Sequence, residues 1–478
     1  MDKQHLPKRE ILLFAAGDIF GGGAQSVLSV LFLIYLTNVL RIQPALAGLV
    51  LLISKVWDAV FDPFLGVMTD NTRTRMGRRR PYILIGGLLL VPAMALLWLP
   101  VGFSSQISKA VYVTAAYLFY NTVSSIIAVP YSSMSTEITT DFRACNRINV
   151  LRLVISLAST AICTLLPSLL FEDSIKQNLS FTGTYVTLVF GFGTLFAIPL
   201  ILIGVFGRER VPFEERKQRV SLQVFVRPFQ VKAFRKLLIL YLFQAVTLDI
   251  VAAVAMYYAL YVVSGMSTTV FLGIFLGIQL LLFPIIAKLV DKVSKTKIYR
   301  YGLPLAISGA LCIALYPASW PVYGIYGLTA FTALGFAGAQ TMSWIMFPDV
   351  ADIAQLGLGE RMTGSLSGMM AFARTISTAA ASFLIGIMLS FTGFVIPTEA
   401  MPMPPQPVTA VWGIRLVIFL PFLLLMGFAW FTAKGFALTP HVSLRVKYFN
   451  ERLRDKGPDL LSEAERTEYD QLMKEFVA

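Results

Sequence analysis

The chain has 478 residues, 56% of them hydrophobic and 14% charged, with a formal net charge of +13. Soluble domains carry about 25% charged residues. This much apolar surface cannot be hidden in one water-facing core, so a soluble globular protein is excluded. An open sheet cannot cross a bilayer, because every backbone polar group must be paired inside the segment. The alternation of a membrane β-barrel is missing, so the chain reads as an all-α membrane protein.

Twelve apolar segments follow one another, each long enough to span about 30 Å of hydrocarbon. They run over 11–39, 45–69, 81–101, 109–136, 148–170 and 184–206, then 234–263, 267–290, 298–316, 320–347, 362–391 and 411–433. The polar stretch 207–233 divides them into six plus six. Four parts are expected: 1–206, a central loop 207–233, 234–433, and a polar tail 434–478. The start MDKQHLPKRE leads into the first segment without a cleavable signal pattern. Basic residues crowd alternate loops, at 73–80, 141–147, 207–236 and 291–300, while 40–44, 171–183 and 392–410 have almost none. The positive-inside rule puts the basic loops and both termini in the cytoplasm of a cell-membrane protein. The basic excess is therefore a topology signal, and no nucleic-acid partner is expected.

The halves echo each other. Pro63 and Asp70 have six residues between them before a basic loop, as do Pro284 and Asp291. Glu137 and Asp141 precede Arg147, and Asp349 and Asp352 precede Arg361. Weak repeats at matching positions mark secondary transporters built from two bundles. These acid–arginine sets, together with Asp70 and Arg73, are read as cytoplasmic gating groups. In the tail, Gly457-Pro458 separates two short helices, and SEAE (462–465) fits a capping box.

Ionisable residues inside membrane segments are functional candidates by default. Here they are Asp18, Lys55, Asp58, Asp62, Arg152, Asp249 and Arg374. Asp58 and Asp62, in KVWDAVFDP (55–63), lie about one helical turn apart and share a face. Two such carboxylates offer hard oxygen ligands to Na⁺. They also repel each other, which lets one hold a proton instead. A neighbouring Lys or Arg would balance them when the cation leaves. Gln25, Asn121, Ser125, Gln244, Gln279, Gln340 and Trp344 are polar membrane residues that line a substrate path or bond helix to helix. Gly21-Gly22-Gly23 is no phosphate loop, since neither a strand nor GK[ST] accompanies it. Cys145, Cys163 and Cys312 have no paired spacing, and the two histidines, His5 and His441, lie near the ends. No nucleophile–base or metal-cluster pattern appears, and no enzyme is expected.

At WDAVFDP…TDNTRTRMGRRRPYIL the chain resembles the glycoside–pentoside–hexuronide cation symporters of the major facilitator superfamily, the melibiose-permease family. Gly17-Asp18, VPYSSMSTEITTDFRACNR and FPDVADI…GER extend the resemblance over the whole chain. It implies a major facilitator fold of twelve helices in two six-helix halves, no cofactor, and coupling to H⁺ or Na⁺. The coupling cation falls on Asp58 and Asp62, joined by Ser125 where the permease has a threonine. Arg374 stands at a lysine that joins the cation and sugar sites, and Arg152 matches a fifth-helix arginine. From the residues themselves and not from the resemblance, Asp18, Gln25 and Trp344 join Arg152 and Arg374 as substrate-binding candidates. Phe61 replaces an asparagine between the paired aspartates, which tilts the coupling ion toward H⁺. Gly22, Ala128 and Ser132 replace two sugar-binding acids and a stacking tryptophan, so the resemblance carries over the coupling and not the galactoside.

The expectation is a monomeric cation-coupled symporter of a glycoside, pentoside or hexuronide, surrounded by membrane lipid. An amphiphile such as a lysolipid is the alternative cargo. A non-transporting scaffold or receptor is the alternative class, and it would leave Asp58 and Asp62 dispensable.

Overall fold

The computed structural model describes residues 7–134, 138, 142–177, 181–210, 227–289, 295–359, 363–398, 401–436, 438–456 and 462–477. Among these, twelve helices are long and apolar enough to cross a membrane. In chain order the first six are α1 (Lys8–Val39), α2 (Pro44–Asn71), α3 (Arg80–Leu97), α4 (Gln106–Met134), α5 (Phe142–Lys176) and α6 (Phe181–Phe206). The second six are α7 (Lys232–Tyr261), α8 (Thr268–Leu289), α9 (Lys295–Leu315), α10 (Val322–Leu358), α11 (Thr363–Phe391) and α12 (Val408–Lys434). The tail adds α13 (Pro440–Lys456) and α14 (Glu463–Phe476).

Each helix grows from an apolar run whose backbone must satisfy itself in hydrocarbon. Pro44 and Pro81 open α2 and α3 at positions where a missing N–H costs nothing. Gly359 closes α10 in the left-handed conformation, φ 74, its N–H donating to Gln355 O at 3.0 Å. Several helices outrun the apolar segments read from sequence. α10 continues from 347 to Leu358 and α5 begins at Phe142, so Asp349 and Asp352 sit on a helix rather than in a loop. Polar ends cost nothing once a helix has left the hydrocarbon, so hydropathy marks where the membrane stops and not where the helix does.

The chain forms two compact units that cut across the six-plus-six division. One comprises Met1–Arg219, Ala252–Gly273 and Thr378–Ile414; the other comprises Val220–Val251, Ile274–Ser377 and Arg415–Ala478. In the first unit α1 packs on α5, α3 packs on α4 and α6, and α2 packs on α4. The ends of α7 and α11 belong to it because they are tied to α1 and α2. Thr37 and Tyr257 hydroxyls lie 2.6 Å apart, and Asn38 Nδ2 donates to Tyr261 OH at 2.6 Å. Ala45 N donates to Ser390 Oγ at 2.9 Å. Gly386 lets α11 approach so closely that a Cβ there would stand 2.2 Å from Pro44 O. Glu172 of α5 accepts from the first N–H of α8, Thr268 N, at 2.7 Å, and from Lys176 Nζ at 2.6 Å.

In the second unit α9 and α10 form the closest pair. Gly302 and Gly335 allow it, a Cβ on Gly335 falling 2.4 Å from Ala306 N. The tail packs on the same unit. Asn450 Nδ2 donates to Asp352 O at 2.8 Å, and Lys232 N donates to Val477 O at 3.4 Å. The expected capping box is present: Glu465 N donates to Ser462 Oγ at 3.4 Å, and Ser462 N donates to Glu465 Oε2 at 2.8 Å.

Candidate functional site

α2 carries Lys55, Asp58 and Asp62 on one face, and each finds a specific neighbour. Lys55 Nζ stands 3.1 Å from Asp58 Oδ2, both side chains being 13% exposed. Lys55 also lies over the Tyr117 ring of α4, 5.9 Å from its centroid. Asp62 Oδ1 accepts a hydrogen bond from Ser125 Oγ of α4 at 2.5 Å. Asp58 Oδ1 is buried with no hydrogen-bond partner. The site is therefore two carboxylates, one hydroxyl and one ammonium, with a carboxylate oxygen still uncommitted. A seryl oxygen that donates its proton keeps lone pairs for a cation. The donor set fits a hard monovalent cation or a proton. Among the described residues no group of three or more His, Cys, Asp or Glu forms a metal cluster.

The backbone supports this arrangement from outside it. Asn121 Nδ2 donates to Ser54 O at 2.9 Å, a buried interhelical bond one turn from Ser125. Trp57 Nε1 donates to Thr122 Oγ1 at 3.0 Å, and Trp57 stacks on Phe61 with centroids 5.6 Å apart.

A second cluster joins α1, α4 and α5. Arg152 Nε stands 2.5 Å from Asp18 Oδ2, and Tyr131 OH lies 3.1 Å from the same oxygen. The guanidinium stacks over the Tyr131 ring at 4.6 Å. A third cluster lies in the other unit. Arg374 of α11 grips Asp249 of α7 with both terminal nitrogens, Nη2 to Oδ1 at 2.8 Å and Nη1 to Oδ2. Elsewhere in that unit, both amide atoms of Gln279 and the Oε1 of Gln340 are buried without a hydrogen-bond partner.

The other sequence candidates divide. Gln25 makes only a 3.5 Å contact with Ser29 of its own helix. The side chains of Trp344 and Asp70 lie outside the described ones, and Glu137, Asp141 and Arg361 are outside the described residues. Arg73 and Arg147 are exposed. Asp349 is buried and pairs with Lys295 at the start of α9, while Asp352 offers its carbonyl to the tail.

One structural group escaped the sequence reading. Glu209, just past α6, accepts from three successive backbone N–H groups of the basic loop: Arg78 at 2.9 Å, Arg79 at 2.9 Å and Arg80 at 3.1 Å. It caps α3, where a carboxylate meets the positive end of the helix dipole. Gly77, φ 108, is needed beside it, since a Cβ would meet the carboxylate at 2.6 Å. The only trace in the sequence is one acid among the basic residues of GRER.

The family described as MFS/sugar transport protein matches residues 13–439. The chain belongs to this family. It is 24% identical over 503 residues to an uncharacterized symporter of Synechocystis sp., covering 87% of this chain and 92% of that one. It is 24% identical over 404 residues to a glucuronide carrier protein homolog of Escherichia coli, covering 82% of this chain and 85% of that one. Among solved structures it resembles a bacterial homologue of the human lysosomal transporter Spinster, with a TM-score of 0.66 at 12% identity, over 91% of this chain and 98% of that one. That likeness speaks to the fold, which is the major facilitator fold. MFS sugar transporters are membrane carriers and not enzymes, and the twelve apolar helices make this one a multi-pass secondary transporter of sugar-type cargo.

Proposed function

We propose that this MFS transporter is a cation-coupled symporter of a glycoside, pentoside or hexuronide, with H⁺ or Na⁺ held by Asp58, Asp62 and Ser125. The observation that carries the reading is the buried, partnerless Asp58 Oδ1 beside a Lys55–Asp58 ion pair. An uncommitted carboxylate oxygen in a membrane is costly. A proton or a sodium ion supplies the missing partner.

Lys55 then acts as the internal counter-ion. It holds Asp58 when no cation is bound and yields it when one arrives. Substrate and cation tighten each other's binding by the same factor, as linkage requires. The Asp18–Arg152 pair, in the same unit as the cation site, offers hydroxyl-rich cargo both donors and acceptors while it remains neutral overall. The glucuronide carrier homolog among the relatives supports a sugar-type cargo. Transport proceeds by alternating access in the cell membrane, with the basic loops and both termini in the cytoplasm.

Calorimetric titration of the purified protein with Na⁺, and proton uptake between about pH 5 and 9, tests the cation site. Wild type is expected to bind one of the two ions saturably, and Asp58→Asn/Asp62→Asn to lose it. Identical curves for the two proteins with both ions would refute the assignment.

A further inference from the structure

Gln279 of α8 and Gln340 of α10 stand inside the apolar spans of their helices. Gln279 is 8% exposed, and neither its amide oxygen nor its amide nitrogen has a hydrogen-bond partner. The Oε1 of Gln340 is buried without one as well. An unpaired amide is expensive in an apolar interior. Other polar groups of the same region avoid that cost. Tyr299 OH donates to Ala339 O at 3.0 Å and lies 2.8 Å from Ser343 Oγ. Thr329 and Thr332 donate to carbonyls of their own helix at 2.7 Å.

The two glutamines belong to one interface. Phe275 and Phe336, both buried, join α8 to α10 with ring centroids 5.8 Å apart. Phe422 of α12 extends the ring layer, 5.7 Å from Phe336. Gln279 follows Phe275 by four residues, and Gln340 follows Phe336 by four. Four residues return a helix to the same face one turn on. With α9 as the one span between them, α8 and α10 run in the same direction. Both amides therefore lie one turn past the ring contact, on the faces that carry it. The side of α10 turned to α9 is a different one, marked by Gly335 and Ala339.

Two helices thus present amides beside one aromatic layer without bonding them to each other. Bracing one helix on another is the ordinary use of a membrane glutamine, and these atoms do not serve it. A hydroxyl both donates and accepts, so two hydroxyls on adjacent carbons match a pair of amides. A carboxylate only accepts, and an alkyl group does neither. Gln340 keeps part of its surface accessible, which gives cargo a way to this layer.

We propose that Gln279 and Gln340 contact the cargo and read a pair of neighbouring hydroxyls on the transported sugar. The proposal rests on the sugar-type cargo of the functional reading and needs no working cation site.

The test is equilibrium binding to the purified full-length protein in nanodiscs. The probes are the methyl β-pyranosides of D-glucose, D-xylose and D-glucuronate, each beside its 3-deoxy analogue. The 3-hydroxyl belongs to both ring diols of every probe, so its removal breaks either pair. Wild type is expected to bind at least one glycoside about tenfold or more tighter than the deoxy analogue, the scale of a lost hydrogen bond. Gln279→Met and Gln340→Met keep the shape without the amide and should each shrink that ratio. Asp58→Asn/Asp62→Asn should retain it. Without sugar, both Met variants should melt at or above wild type, since each removes an unpaired amide. Melting below wild type would give the amides a bracing role, direct or through water, and overturn the proposal. So would a wild type that binds none of the glycosides or ignores the 3-hydroxyl, and so would discrimination that survives both substitutions. Intact discrimination in a wild type that binds neither Na⁺ nor H⁺ refutes the coupling reading and leaves this one standing.

Discussion

Arg374 Nη2 stands 2.8 Å from Asp249 Oδ1, and Nη1 meets Oδ2, so α11 and α7 are joined by a two-pronged ion pair. Both residues sit just before the points where their helices pass from one compact unit to the other, after Val251 and Ser377. Breaking such a pair by removing one partner leaves an uncompensated charge and costs about 3–5 kcal/mol, whereas replacing both can be neutral. Asp249→Asn is therefore expected to lower the melting temperature, and Asp249→Leu/Arg374→Met to recover most of it without recovering transport. Thermal denaturation of wild type and these two variants checks the coupling; equal melting temperatures would show the pair to be idle.

Lys55 competes with the coupling cation for Asp58. Lys55→Met removes the competitor, so cation affinity should rise by about tenfold, equivalent to about 1.4 kcal/mol. Turnover should fall, because no internal counter-ion remains to release the empty carrier. Sodium or proton titration alongside a transport assay measures both. An unchanged affinity would mean that Lys55 is only a packing partner.

Glu209 caps α3 and holds the basic loop through three N–H groups. Glu209→Ala should destabilise the first unit by about 1–2 kcal/mol, the usual cost of a lost helix cap. Gly77→Ala should cost about as much, through its positive φ and its clash with the same carboxylate. Combined, the two substitutions should be less than additive, because each disturbs the same contact.

The tail has its own pH dependence. The Tyr448 hydroxyl, followed by the Ser462 N–H, draws the Glu465 carboxyl from its ordinary value of 4.5 down to about 2. A depressed folded-state value means stabilisation that is complete above about pH 4.5 and lost as the pH falls toward about 2. Hydrogen exchange of the α14 amides, corrected for intrinsic rates, should therefore quicken over that window in the full-length protein. Glu465→Gln should remove the dependence. Exchange that stays level from pH 5 to 2, roughly, would contradict the capping role.

The twelve spans were legible because hydrocarbon thickness imposes a length and a composition on each. The Asp58–Asp62 face was legible because four residues make one turn, and the Ser125 contact was implied by the family pattern. Other features depend on where distant segments meet. Hydropathy cannot tell that Asp249 meets Arg374 or that Asp349 meets Lys295, since each pair joins separate helices. Nor does it reveal that the ends of α7 and α11 pack with α1 and α2, which turns on single groups such as Thr37 and Gly386. Glu209 was unreadable for a different reason. It acts through backbone N–H groups, which leave no mark in residue type.

The central claim is that Asp58 and Asp62 couple a cation to cargo, and uptake in proteoliposomes tests it most directly. Labelled sugars, D-glucuronate included, would be offered under a Na⁺ gradient and then under a pH gradient, with wild type and Asp58→Asn/Asp62→Asn side by side. The account predicts accumulation above equilibrium under one gradient, collapse of that accumulation when the gradient is dissipated, and none in the variant. Accumulation by the double variant equal to wild type would contradict it.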